Sequence, residues 1–440
     1  MKPLDSMTSD NLGALFALFG HVADAPTPNK MRIRENHYIV CENGRVVDVF
    51  PELPERYLQI PVVRYDDCLI LPGMIDLHIH APQYAFRGIG MDEELILWLE
   101  HRAFPEEAKY SDVEYAKRAY SFFASEMKTS ATTRAAIFAT HHREATECLM
   151  DCMEETGLVT YIGKVNMDRE AAVNHRESGP DESKTETLAW LHDIEGKYQR
   201  TMPILTPRFI PSCSNQLLEA LCDIRRDFNL PVQSHLSENV SEIEWVKALC
   251  PDSDFYGDAY DCYELFGEHD GIGGKTIMAH CVWSCDAEVK RISQNGVFVA
   301  HCPGSNMNIG SGIAPIRRYL DAGIRIGLGT DVAAGQSTSV FRAITDAIAV
   351  SKLYWRLIDT TKKPLLFSEA FYLATRGGGA FFGNVGAFVP GFAMDAIVLD
   401  DSALLHPQPL SVQERVERAI YLRLDGFGIC GKYVDGKSCL

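Results

Sequence analysis

Five residues of metal-binding type stand at the ends of apolar runs in this chain. His78 and His80 lie one residue apart in LPGMIDLHIHAPQYAFRG, His235 closes LPVQSH, His280 closes KTIMAH and Asp331 closes RIGLGTD. Side chains two apart on a strand face the same side, so His78 and His80 can grip one ion. With His235 and Asp331 they offer three neutral nitrogens and a carboxylate. That set suits zinc, with one position left for water, and iron or manganese could use it too. Such an ion activates water for hydrolysis. Glu238, three residues past His235, is placed to shuttle protons, although a glutamate there could instead charge the first turn of the following helix. Asp331 could accept a proton as well as bind metal, and His280 could orient the water or stabilise developing charge. The sequence does not divide that work between them.

Residues so far apart in the chain need a frame that gathers strand ends. The runs CLILPGMIDLHIH, TTRAAIFATHH, GLVTYIGKVNMD, ILTPRFIPS, LPVQSH, KTIMAH, GVFVAHCP and RIGLGTD alternate with helical periodicity, as in SDVEYAKRAYSFFASEM, SNQLLEALCDIRRDF and SENVSEIEWVKAL. Eight strands alternating with helices predict an α/β fold, a parallel (β/α)8 TIM-type barrel with its active site where the strands end. The barrel is expected over residues 69–377. The flanks read differently: HYIVCENGRVVDVF holds a hairpin turn at ENGRV, and GAFVPGFAMDAIVLDD returns to strand signals. Neither end has enough apolar residues for its own core, so residues 1–68 and 378–440 are expected to form one composite β domain.

Composition narrows the partners. A net charge of -18 argues against nucleic acid or an anionic membrane as the main partner. Thirteen scattered cysteines without a CxxC pair argue against a disulfide framework and fit a reducing cytoplasm. LGALFALFG is the one run resembling a signal-peptide core, but Asp5 and Asp10 precede it and only Lys2 is basic, so a strand is expected. No uninterrupted apolar run approaches the roughly 18 residues of a membrane span. The terminal SCL lacks the central basic residue of a peroxisomal tripeptide.

Taken together, PGMIDLHIH, SHLSE, MAH and GLGTD resemble the amidohydrolase superfamily, and within it the aminohydrolase branch with one catalytic metal. The agreement runs over almost the whole chain, including GNVGAFVPGFAMDAIVLD. HIHAPQYAFRG followed by LILWLEHRAFPEEAKY, with PRFIPSCS and QSHLSEN, is similar more particularly to the guanine-deaminating members of that branch. The resemblance implies hydrolysis of guanine to xanthine and ammonia, one divalent ion per chain (Zn2+, or Fe2+), a small nucleobase as partner and a homodimer. It implies metal ligation by His78, His80, His235 and Asp331, and catalysis by Glu238, Asp331 and His280. Around the base it implies His80, Ala81, Pro82 and Gln83 after the first strand, Arg208 and Phe209 after the fourth, and His235, Glu238 and Asp331 beyond. Gln83 offers a donor and an acceptor to a ring edge, Arg208 a fork of donors to a carbonyl, and Phe209 a flat apolar face.

The two-metal form of this superfamily uses a modified fourth-strand lysine. ILTPRFIPS has none, and Lys164 falls on the third strand, where lining charge is its simpler role. His301 ends the seventh strand and stays unassigned, Trp98 reads as core, and His101, His175 and His192 carry no signal. The HRE at His142 to Glu144 imitates the other zinc-deaminase fold but lacks its PCxxC partner. GLGTD and GIGG complete no phosphate loop, and the NVS at Asn239 is a sequon without meaning in a cytoplasmic protein. Two rivals remain: an aminohydrolase acting on a pyrimidine, a triazine or an adenosine-type thioether, and a non-catalytic scaffold, which would have no use for this set of residues.

Overall fold

The computed structural model describes residues 13–169, 176–269, 271, 274–422 and 427–440. Lys2, Asp5, Asp10, His175 and part of GIGG lie outside the described residues. From Leu15 on, the run LGALFALFG belongs to strand β1 (Leu15–Asp24), buried over nearly its whole length; its first residue, Leu12, lies outside the described residues. It pairs antiparallel with β2 (Arg32–Glu42), which turns into β3 (Arg45–Phe50). At that turn Asn43 and Gly44 take φ of 50° and 76°, the left-handed pair that a two-residue hairpin requires. On its other side β1 runs parallel to β4 (Val62–Pro72).

The barrel begins with β5 (Met74–His80), β6 (Thr132–Phe138) and β7 (Val159–Gly163). The short pieces β8 (Val165–Asn166), β9 (Thr201–Pro203) and β10 (Thr206–Pro207) follow. It continues through β11 (Val232–Leu236), β12 (Thr276–His280), β13 (Phe298–His301) and β14 (Arg325–Leu328). Two parallel four-stranded sheets, β5-β6-β7-β9 and β11-β12-β13-β14, are joined by the β10-β8 pair and a Leu205–Val232 bridge. The ring closes at its carboxyl end: Asp331 N donates to His78 O at 2.8 Å, and His80 N to Val332 O at 3.2 Å. Closure and chemistry therefore share residues.

The third and fourth barrel strands are each in two pieces, and the fourth starts at Thr201, upstream of ILTPRFIPS. The chains cross so closely that a Cβ at Gly163 would lie 1.7 Å from Thr206 Oγ1. Only glycine fits there. Between strands run helices such as Val113–Thr129, Arg143–Thr156, Asn215–Phe228, Val240–Leu249 and Val340–Leu357. Asp112 and Ser214 cap two of them through their side chains.

After the last barrel helix, Phe381, Val385 and Ala393 pack with Ile75, Leu77, Ile277 and Phe298, plugging the amino end of the barrel. The chain then returns to the first sheet as β15 (Ala396–Leu399), β16 (Ile429–Val434) and β17 (Lys437–Ser438). The finished order is β17-β16-β15-β4-β1-β2-β3, so both chain ends build one sheet beside a (β/α)8 barrel. Two buried basic side chains tie sheet to barrel. Arg134 of β6 binds Asp395 at 2.6 and 3.1 Å and Asp435 at 2.7 Å. Lys432 of β16 donates to the carbonyls of Met127, Lys128 and Ser130 at 3.0, 3.0 and 3.1 Å, satisfying the open end of the helix Val113–Thr129. Among the described residues no helix is long and apolar enough to cross a membrane.

Candidate active site

The strand ends bring His78, His80, His235, His280 and Asp331 into one buried cluster at the carboxyl end of the barrel. His80 Nε2 and His235 Nε2 are 3.2 Å apart. Asp331 Oδ1 lies 3.2 Å from His78 Nε2 and 3.5 Å from His80 Nε2. Ligand atoms of two overlapping groups, His78, His80 and His235, and His78, His280 and Asp331, fall within 4.8 Å of one another. Both nitrogens of His78 and Nε2 of His280 are buried without a hydrogen-bond partner among the described residues. Orphaned nitrogens facing a carboxylate fit a divalent metal ion and make a poor apolar core. Burial, and then the neighbouring charges, push His78, His80 and His235 well below the usual histidine range, so their lone pairs are free.

The surroundings aim these groups. His235 Nδ1 donates to Arg208 O at 2.6 Å, which turns the Nε2 lone pair inward. His280 Nδ1 meets Asn306 Oδ1 at 2.9 Å. Asp331 and His280 hold left-handed φ of 51° and 71°, a conformation that costs a non-glycine residue energy and gathers at functional sites. Asp76 fixes the first strand to the eighth: its carboxylate accepts from Thr330 N at 3.1 Å, Thr330 Oγ1 at 2.5 Å and His78 N at 3.2 Å. Burial drives Asp76 up to about 7 and Asp331 up to about 6.

Glu238 is 4 % exposed and faces the cluster, its Oε2 3.5 Å from His280 Nε2 and its Oε1 accepting from Ser311 Oγ at 3.1 Å. Burial, and then Asp331, push its carboxyl up to about 8. The helix-start role open in the sequence belongs to other residues: Asn239 caps the helix Val240–Leu249 and Glu242 completes the capping box. Glu242 also accepts from Glu238 N at 2.9 Å and Tyr256 Oη at 2.7 Å.

The cavity above the cluster is lined by His80, Gln83, Arg208, Phe209, His235, Glu238, His280 and Asp331, with Leu95, Trp98, Leu99 and Ile309 as apolar wall. Trp98 is thus both core, at 2 % exposed, and wall. Ala81 and Pro82 are buried in the turn behind and are not among the lining residues. Phe209 stands edge-on to Trp245, centroids 6.0 Å apart. Lys164 is engaged in a buried ion pair with Glu177, and no lysine stands at the fourth strand. His301 is buried without a partner for either nitrogen among the described residues. His142 and Glu144 line a separate, open cleft. Asp76, Asn306, Ser311 and Glu107, which binds Arg208 and Gln83, are absent from the sequence reading. Asp76 lies inside PGMIDLHIH and Glu107 inside LILWLEHRAFPEEAKY, but neither motif marks what the residue binds.

The amidohydrolase family model matches residues 69–438. A Dictyostelium discoideum guanine deaminase is 38% identical over 346 residues, covering 78% of this chain and 75% of that protein. A Schizosaccharomyces pombe protein named probable guanine deaminase is 37% identical over 343 residues, 77% of this chain but 64% of its own length. A crystal structure of guanine deaminase from C. acetobutylicum with guanine bound in its active site superposes with a TM-score of 0.92 at 42% identity, covering 96% of this chain and 99% of that one.

Proposed function

The chain belongs to the amidohydrolase family, and from that premise we propose that it hydrolyses guanine to xanthine and ammonia. The observation that carries the reading is that His80, His235, His280 and Asp331 of a metal-type donor set line one cavity with Arg208 and Gln83, a donor-rich edge for a heterocycle. The solved relative with guanine in its site supports the substrate. His78, His80, His235 and Asp331 would hold the ion, with zinc the expected metal from three imidazoles and one carboxylate. The ion supplies a nucleophile from water at neutral pH.

This chain's residues do the rest. Arg208 donates to the carbonyl at C6, Gln83 meets the ring edge, and Phe209 and Trp98 bound the faces, which sets C2 toward the histidine cluster. Glu238 carries the first water proton to the ring nitrogen next to C2. The second proton ends on the exocyclic amine, which leaves as ammonia while C2 becomes a carbonyl; Asp331 and His280 flank that transfer. Adenine has an amine where guanine has the C6 carbonyl, so Arg208 would face a second donor, a mismatch that can cost ~10⁴-fold. A cytoplasmic location is proposed from thirteen free cysteines, Cys262, Cys285 and Cys430 exposed among them. The homodimer is proposed on family resemblance.

The test is ammonia release from guanine, adenine and cytosine by the purified protein, with its metal content measured. We expect one tightly held divalent ion per chain, turnover of guanine with xanthine as product, and loss of both ion and turnover in His78→Ala or His235→Ala. Efficient turnover of cytosine would move the activity to another aminohydrolase. Two ions per chain at full activity would overturn the single-metal site.

A further inference from the structure

Arg208 and Gln83 do not hold themselves in place. Both are bound by Glu107, which is 5 % exposed and stands behind the cavity wall, not among the lining residues. The Glu107 carboxylate receives both terminal nitrogens of Arg208, Nη2 at 3.0 Å on Oε1 and Nη1 on Oε2. The same Oε1 receives Gln83 Nε2 at 2.9 Å. A carboxylate can only accept, so it dictates that the nitrogen end of the Gln83 amide turns toward it. The opposite end is dictated as well, since Ala333 N donates to Gln83 Oε1 at 3.1 Å. Among the described residues, one N–H and one lone pair of Gln83 stay free, and three of the five N–H groups of Arg208. The Arg208 guanidinium also lies over the Phe104 ring, 4.9 Å from its centroid. Phe104 and Glu107 are the two ends of one helical turn, Phe104–Glu107. Its other glutamate, Glu106, faces elsewhere and binds Lys109 Nζ at 2.6 Å.

We propose that Glu107 is the positioning residue for base recognition: it locks the Arg208 fork in plane and fixes the polarity of the Gln83 amide, so the cavity presents a ready-made donor pattern to a carbonyl-bearing purine. It also neutralises Arg208, leaving hydrogen-bond direction rather than net charge to select the base. The role rests on the guanine reading.

The test separates the two. Parent, E107Q, E107D, R208A and E107Q/R208A are assayed on guanine and on 2-aminopurine, which has no carbonyl, with metal content and Tm measured alongside. E107Q should keep its metal yet lose roughly 10²-fold in kcat/KM on guanine, the scale of a small misplacement of a binding group. The loss should be smaller on 2-aminopurine and fall more on KM than on kcat. E107D, which keeps the charge, should restore part of it. In the R208A background E107Q should cost little more on guanine, because its main route of action is gone. Equal losses on both purines, or single losses that multiply in the double variant, would overturn the role. Should E107Q fail to fold, E107D takes its place in the cycle under the same criterion. A parent that releases no ammonia from guanine defeats the guanine reading instead, and the cycle run on cytosine then judges Glu107 by non-additivity alone.

Discussion

Glu238 is the residue where position and role part most sharply. It sits one place before a helix cap, yet its carboxylate turns to His280 and Ser311 while Asn239 and Glu242 start the helix. Glu238→Gln should therefore keep the metal and bind purine while kcat falls ~10²-fold or more, the scale of a positioned acid-base group. Near-normal kcat with a lowered Tm would return it to the helix. Single residues were legible where the strand-end pattern marks them: His78, His80, His235, His280 and Asp331 converge as spacing and resemblance predict. Glu107 and Asn306 were not. Glu107 is one of two adjacent glutamates, and nothing in FPEE tells which turns to Arg208, more than 100 positions away in the chain. Residues that act through others carry no local pattern, because their partners are set by the fold.

At the scale of elements, the helix Val240–Leu249 shows how a start signal can stand beside a functional group without sharing it. Asn239 Oδ1 accepts from Ser241 N at 2.9 Å. Asn239→Ala should cost about 1 kcal/mol of stability, seen as a lower Tm, and leave kcat close to the parent value. A fall in kcat like that of Glu238→Gln would mean that cap and shuttle act as one unit. The alternation of eight barrel strands with helices was legible from sequence patterns, and so was the hairpin at Asn43–Gly44. The breaks in the third and fourth strands were not, because they follow from a crossing at Gly163 and Thr206 that exists only once the barrel has closed.

At the scale of the whole molecule, the barrel and the two-ended sheet are clamped through buried charge. Arg134 and Asp395 are 6 % and 2 % exposed and doubly bonded. Arg134→Met leaves a buried carboxylate without its cation, a loss of about 3–5 kcal/mol. Tm should fall clearly, while the protein that remains folded keeps its kcat/KM. Arg134→Met with Asp395→Leu should be milder than Arg134→Met alone, since the fully buried carboxylate is then gone and only Asp435, whose side chain is part-exposed, loses its cation. A double variant less stable than the single one would show that the clamp acts through packing and not through charge. The sheet register itself governs how the molecule is made. Leu69 of β4 pairs with Leu399 of β15, and every barrel strand lies between them in the chain. On the ribosome, that flank of β4 is a bare strand edge, able to accept a foreign strand, until β15 has been synthesised, well after the last barrel strand. The nascent chain is therefore most exposed to mispairing just before its own final strands emerge to cover it.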